Sequence, residues 1–214
     1  MRIAHLADLH LGKVFHGLSL LEDQRHALDQ VIETLQRERV EVLLLAGDLY
    51  DRALPGSDAV RLLDGFLREV NETCRVPVIA IAGNHDSADH LGFGSWLFSR
   101  GDLHVRGRIE ESAIPITLED AHGEVTFYPV PYVEPESARA VLGPTLGEDE
   151  DLSTHCAAVR ALLSIARAHQ REHGVKRSVV VYRRTMAYMP AEPEEKELAR
   201  HDGVEFMELL APVR

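Results

Sequence analysis

The chain has 214 residues, 45% of them hydrophobic and 27% charged, an ordinary balance for a globular fold of one domain, or of one domain with a small appendage. Its 35 acidic and 23 basic residues leave a formal charge of −12. These figures exclude a disordered chain, a collagen-like chain and a disulfide scaffold, and they argue against a protein that grips nucleic acid by charge alone.

The first apolar run, Arg2–Ala7, predicts a short buried strand. Asp8 and His10 interrupt the apolar stretch around it, which therefore does not read as a signal peptide. Leu20–Arg39 predicts a helix, with Leu21, Leu28, Val31, Ile32 and Leu35 recurring at helical spacing. Val40–Ala46 is nearly continuous apolar sequence, as expected of a strand covered on both faces. Ser57 offers an N-cap for a second helix, Asp58–Val70, with Val60, Leu63, Phe66, Leu67 and Val70 inward. Val76–Ala82 predicts a third buried strand. Strands alternating with helices imply an α/β sandwich with right-handed crossovers.

Beyond Gly92, Leu103–Arg106 and Glu124–Pro129 read as strands in an antiparallel part of the sheet. Gly143–Asp151, with its acidic run from Glu148, reads as an exposed loop. Leu152–His169 predicts a helix with Val159, Leu162, Leu163 and Ile165 on its apolar side, and Val179–Tyr182 a strand. Arg183–Arg214 shows no clear pattern. Cys74 and Cys156 are too few and too scattered for a disulfide framework or a zinc finger, which fits a reducing cytoplasm. No window is apolar for the ~18 residues that a membrane span needs.

A polar cluster follows each of the first three strands at once: Asp8-Leu9-His10, then Gly47-Asp48-Leu49-Tyr50-Asp51, then Gly83-Asn84-His85-Asp86. Singly, the first two read more readily as turn chemistry, whereas the third is rarer and reads less so. Together, at the carboxyl ends of strands in an open α/β sheet, they can converge on one point. Carboxylate, imidazole and amide donors suit Mn²⁺, Mg²⁺, Fe²⁺ or Zn²⁺. The series D-x-H, GDxxD, GNHD resembles the opening motifs of the calcineurin-like metallophosphoesterases. ADLHLGK, AGDLYDRALP and IAGNHDSADHL narrow the resemblance to their SbcD/Mre11 nuclease branch, over residues 1 to about 181. LHVRG and YPVPYVEP fit more weakly.

The resemblance implies a metallophosphoesterase-type α/β sandwich of mixed central sheets flanked by helices, apparently truncated, with residues 1–182 as an incomplete nuclease domain and 183–214 as a divergent tail. It implies a double-strand exonuclease and single-strand endonuclease in DNA repair, recombination and replication. The implied partners are DNA, an SbcC/Rad50-like ATPase and a second copy of the chain, with no membrane. Two Mn²⁺ ions are expected from the family. Asp8 and His10 would hold the first, Asp48 would bridge, and Asn84 would bind the second. His85 would act beside the scissile phosphate, with Asp86 orienting its imidazole, and Asp51 would support a ligand from behind. The family continues with a histidine after the strand matching Val179–Val181, and with a G-H-x-H motif. Here Tyr182-Arg183-Arg184-Thr185 follows that strand and no G-H-x-H occurs. One ion or none is therefore expected at ordinary metal concentrations. A non-catalytic remnant of the fold and a small-molecule phosphodiesterase are the alternatives. Of the other candidates, His16 and His90 flank the clusters. His155, His169, His173 and His201 read as solvated, and Arg106-Gly107-Arg108 as a solvated loop.

Overall fold

The apolar runs that the sequence keeps apart come together as one sheet. The computed structural model describes residues 1–146, 152–173, 178–182, 197, 200 and 204–208. In chain order, β1 (Ile3–Leu6) leads through a small hairpin, β2 (Val14–Phe15) and β3 (Leu18–Ser19), to α1 (Leu21–Arg37). There follow β4 (Val42–Ala46), α2 (Ser57–Glu69), β5 (Val78–Ile81), the short helices α3 (Ala88–Gly92) and α4 (Ser95–Phe98), and β6 (Leu103–Arg106). The hairpin β7 (Ile116–Asp120) and β8 (Gly123–Phe127), the helices α5 (Pro135–Leu146) and α6 (His155–His173), and the strands β9 (Ser178–Tyr182) and β10 (Val204–Glu208) come last.

Strands β1, β4, β5 and β6 lie side by side in that order, all parallel. One face of this sheet carries Leu43, Leu45, Val78, Ala80 and Val105, packed with Leu28 and Leu35 of α1 and Leu62, Leu63 and Phe66 of α2. The other face presents Val42 and Ile79 to Ile116, with Leu44, Leu118 and Phe127 half-buried around them. The α/β class and the mixed sheets are as expected, because β4 and β5 are continuously apolar and covered on both sides.

Four local expectations change. β6 is a parallel edge strand and not part of an antiparallel section; among the described residues antiparallel pairing occurs in the small β2–β3 hairpin and in β7 with β8, a strand pair of which only the second was expected. In α2, Ser57 is the first helical residue and Gly56 the cap, so the buried stripe runs Ala59, Leu62, Leu63, Phe66 and Val70 and leaves Val60 exposed. In α6 the stripe is Ala158, Ala161 and Leu162, with Val159 and Leu163 exposed, and small alanines let α5 approach through Ala138 and Leu142. Residues 143–146 are helical, and 147–151 lie outside the described residues. The pattern-poor tail contains β10, parallel to β9 with Val204 opposite Ser178. His201 and Arg183 are outside the described residues. Among the described residues neither Cys74 nor Cys156 takes part in a disulfide.

His5, Leu44, Ile79 and His104 are opposite one another across the four strands, so two histidines share the face that β7 and β8 cover. Burial pushes both imidazoles below their ordinary value, and the neighbouring Arg106 lowers His104 further. Among the described residues, His5 Nδ1 and His104 Nε2 have no hydrogen-bond partner. The unfolded chain therefore takes up protons on these rings at a higher pH than the native fold. Their neutral state stabilises the fold fully above ~6.5, and stability falls as the pH drops below that value. The thermal midpoint is expected to be lower at pH 5.5 than at pH 7.5, with a smaller drop in a His5→Leu, His104→Leu variant. An equal drop in both proteins would place the sensitivity elsewhere.

Candidate metal centre

The loops after β1, β4 and β5 all leave the same end of the sheet, and backbone hydrogen bonds carry the strand pairing out into them. Asp8 N–H donates to the Gly47 carbonyl at 3.1 Å, His10 N–H to Asp48 at 2.9 Å and Leu11 N–H to Leu49 at 3.0 Å. Gly47 has φ +86°, and a Cβ there would lie 3.0 Å from Gly83 Cα. A Cβ on Gly83 would overlap the backbone nitrogen and Oδ1 of Asp48. Glycine is therefore required at both positions, because the second and third loops touch backbone to backbone.

This contact places the side chains. Asp8, His10 and Asp48 offer one donor atom each, all within 4.8 Å of one another. His10 Nε2 is 3.9 Å from Asp8 Oδ1 and 3.9 Å from Asp48 Oδ2. Asp48 is buried, at 3% exposure, while Asp8 opens to solvent. All three residues have left-handed backbones, with φ of 58°, 43° and 52°. On the other side of His10, Nδ1 is 3.5 Å from Asp51 Oδ1, an ion-pair distance and not a hydrogen bond. Asp51 also stands 3.7 Å from Lys13 Nζ.

His85 is exposed at the mouth. Its N–H donates to Asp48 Oδ1 at 3.0 Å, its Nδ1 lies 3.1 Å from the Asp51 carbonyl, and its ring meets His10 edge-on with centroids 4.8 Å apart. Asn84 is exposed in the bend beside it. The structure thus gathers Asp8, His10, Asp48 and His85, with Asn84 at the rim.

Asp86 does something other than orient the His85 imidazole. Its carboxylate accepts Leu49 N–H at 3.1 Å, Tyr50 N–H at 2.9 Å and Gly83 N–H at 2.9 Å, which pins the second loop to the third. Each hydrogen bond to a charged group contributes ~1.5–3 kcal/mol, and the three share one carboxylate. Asp86→Ala is expected to lower the unfolding free energy by ~4 kcal/mol in a urea titration, with Asp86→Asn intermediate. A loss below ~1 kcal/mol would show that water replaces the carboxylate. Burial, with Asp86 and Asp64 adding to it, pushes the Tyr50 phenol up to about 12, so it stays protonated in the range where the imidazoles titrate.

Gln24, on the first turns of α1, was not apparent from the sequence. Its amide donates to the Leu9 and His10 carbonyls at 3.1 and 2.7 Å and accepts Gly12 N–H at 3.0 Å, clamping the first loop. A glutamine on a polar helix surface carries no signal of that role. His16 is exposed, and His90 Nδ1 lies 3.2 Å from the Ala53 carbonyl. His155 is engaged by Tyr132 Oη at 2.9 Å. Arg108 binds Asp89 at 2.8 Å, and a Cβ on the buried Gly107 would meet the Ala88 carbonyl, so this stretch braces α3 and is not a solvated loop.

A family model described as calcineurin-like phosphoesterase matches residues 1–143. The chain is 35% identical over 164 residues to the SbcD subunit of the nuclease SbcCD from Staphylococcus saprophyticus, an alignment covering 77% of this chain and 41% of that protein. The chain thus spans less than half the length of that relative.

Proposed function

The chain belongs to the calcineurin-like phosphoesterase family, and we propose that it is a metal-dependent DNA phosphodiesterase of the kind its nuclease relative is named for. The observation that carries this reading is the meeting of Asp8, His10 and Asp48 within 4.8 Å at the carboxyl ends of β1 and β4. Two carboxylates and an imidazole, one carboxylate buried beneath the backbone contact of Gly47 and Gly83, fit a divalent ion of the Mn²⁺ class. Asn84 and Asp48 would offer a second, poorer position, because a neutral amide and a shared carboxylate compete weakly with hydration. Bound metal would polarise the phosphate and lower the pKa of a bound water. The chain's own residues set the frame. Asp48 fixes the His85 backbone, and the Asp51 carbonyl faces His85 Nδ1, so the ring is held at the mouth where a phosphodiester would enter.

The finer reading has residues 1–182 as the phosphoesterase domain of a double-strand exonuclease and single-strand endonuclease. It works in DNA repair, recombination and replication with an SbcC-like ATPase, in the cytoplasm where its substrate is met. Among the described residues no helix is long and apolar enough to cross a membrane. A homodimer is supported by the exposed Phe93, between α3 and α4, and the exposed Trp96, Leu97 and Phe98 of α4, since exposed apolar patches of this kind mark contact surfaces. A second reading, a metal-binding module with little turnover, is favoured by Tyr182-Arg183-Arg184, which stands where the family has a ligating histidine.

The test is cleavage of linear duplex and circular single-stranded DNA by the chelator-stripped chain with and without Mn²⁺, beside a nitrophenyl phosphodiester. Mn²⁺-dependent cleavage of DNA, abolished by EDTA, is expected. Hydrolysis of the small diester with DNA untouched would replace the nuclease reading. Tight Mn²⁺ binding with no hydrolysis of either would establish the module.

A further inference from the structure

His10 faces two donor sets with its two ring nitrogens. Nε2 looks toward Asp8 and Asp48, and Nδ1 toward Asp51. His10, Asp51 and His85 also bring one donor atom each to within 4.8 Å of one another. We propose that His10, Asp51 and His85 form an alternative ion position selective for Zn²⁺, which excludes the ion held by Asp8, His10 and Asp48. This inference rests on the functional reading above for the position it excludes.

The exclusion follows from imidazole chemistry. A neutral imidazole has one lone pair and one N–H, on opposite nitrogens. With the proton on Nδ1, His10 offers Nε2 to the Asp8 and Asp48 position and turns its N–H toward Asp51. With the proton on Nε2, it offers Nδ1 to the Asp51 position and turns its N–H toward Asp8 and Asp48. In either state the vacated carboxylates become the outer support that fixes the tautomer, the usual partnership behind a ligating histidine. Occupation of both positions would require His10 to lose its second proton.

Selectivity follows from the donors. Two carboxylates and one imidazole suit a hard ion, whereas two imidazoles and one carboxylate are a zinc set, with a fourth place left for water. His85 is prepared for this role. Its Nδ1 lies 3.1 Å from the Asp51 carbonyl, so the proton belongs on Nδ1 and the lone pair on Nε2. Lys13, 3.7 Å from Asp51 and half exposed on a flexible stem, swings into solvent when an ion takes its place. Zn²⁺ held in this way also occupies the His85 ring, removing it from the phosphate.

The experiment titrates Zn²⁺ and Mn²⁺ separately into the chelator-stripped full chain by calorimetry, then adds Zn²⁺ to the Mn²⁺-loaded chain while free Mn²⁺ is read by electron paramagnetic resonance. His85→Gln is expected to weaken Zn²⁺ at least ~10-fold, the scale of losing a metal-site partner, and to leave Mn²⁺ within about threefold. Asp8→Asn is expected to do the reverse. One equivalent of Zn²⁺ is expected to release the bound Mn²⁺. Unchanged Zn²⁺ affinity in His85→Gln, with its thermal midpoint unchanged, overturns the proposal, as does simultaneous binding of both ions. Unchanged Mn²⁺ affinity in Asp8→Asn overturns the functional reading instead, and with it the exclusion. The two failures appear in different titrations.

Discussion

Asp48→Asn is expected to abolish measurable Mn²⁺ binding. Asp48 is the buried member of the site, its Oδ1 taken by His85 N–H and its Oδ2 3.9 Å from His10 Nε2. It is the carboxylate placed between the first and third loops. The amide is nearly the same shape, so the fold should persist, but it removes the negative charge and turns a weak donor or acceptor toward the ion. Losing an outer-shell partner already costs ~10–100-fold in metal affinity, and losing the shared carboxylate itself must cost more. Calorimetry with the chelator-stripped protein reads this directly. Unchanged affinity, in a variant that melts like the parent, would remove Asp48 from the site.

His85→Ala is expected to reduce DNA cleavage by ~10²–10⁴-fold, the usual contribution of one positioned acid or base. Mn²⁺ affinity should stay within about threefold, because no donor atom of the Asp8, His10 and Asp48 set is lost. Since the side chain is exposed at the mouth, removing it opens no cavity in the core. Loss of Mn²⁺ as complete as in Asp48→Asn would make His85 a ligand to that ion and undo its assignment to the phosphate.

The sheet was legible because Val42–Ala46 and Val78–Ile81 are buried on both faces, and burial on both faces leaves an unmistakable apolar run. The motifs were legible because strand ends in parallel sheets collect polar residues at one edge. The direction of β6 was not. Leu103–Arg106 alternates apolar with polar residues, and an edge strand of either sense does the same. The partner of β9 was hidden because the five residues Val204–Glu208, whose alternation breaks at Phe206-Met207, are a weak signal beside the charged sequence before them. Within the site, residue types revealed candidate ligands but not hydrogen-bond directions. Asp86 follows His85 in sequence, which suggests a carboxylate orienting its neighbour. In space its oxygens are spent on Leu49, Tyr50 and Gly83. Gln24 was invisible because its role exists only after α1 has docked beside the first loop.

The left-handed backbones at Asp8, His10 and Asp48 bear on any effort to make this protein sturdier. Side chains held in that conformation cost the fold of order 1–3 kcal/mol each, and glycine would relax it. A directed-evolution campaign scored on heat resistance alone will therefore favour changes at positions 8, 10 and 48, and each will come from the ion-binding set. Survivors of such a selection are expected to be durable and inert. Screening for retained Mn²⁺ in the same round would steer the gains toward sites such as the half-covered histidines of β1 and β6, where replacing a polar ring costs the centre nothing.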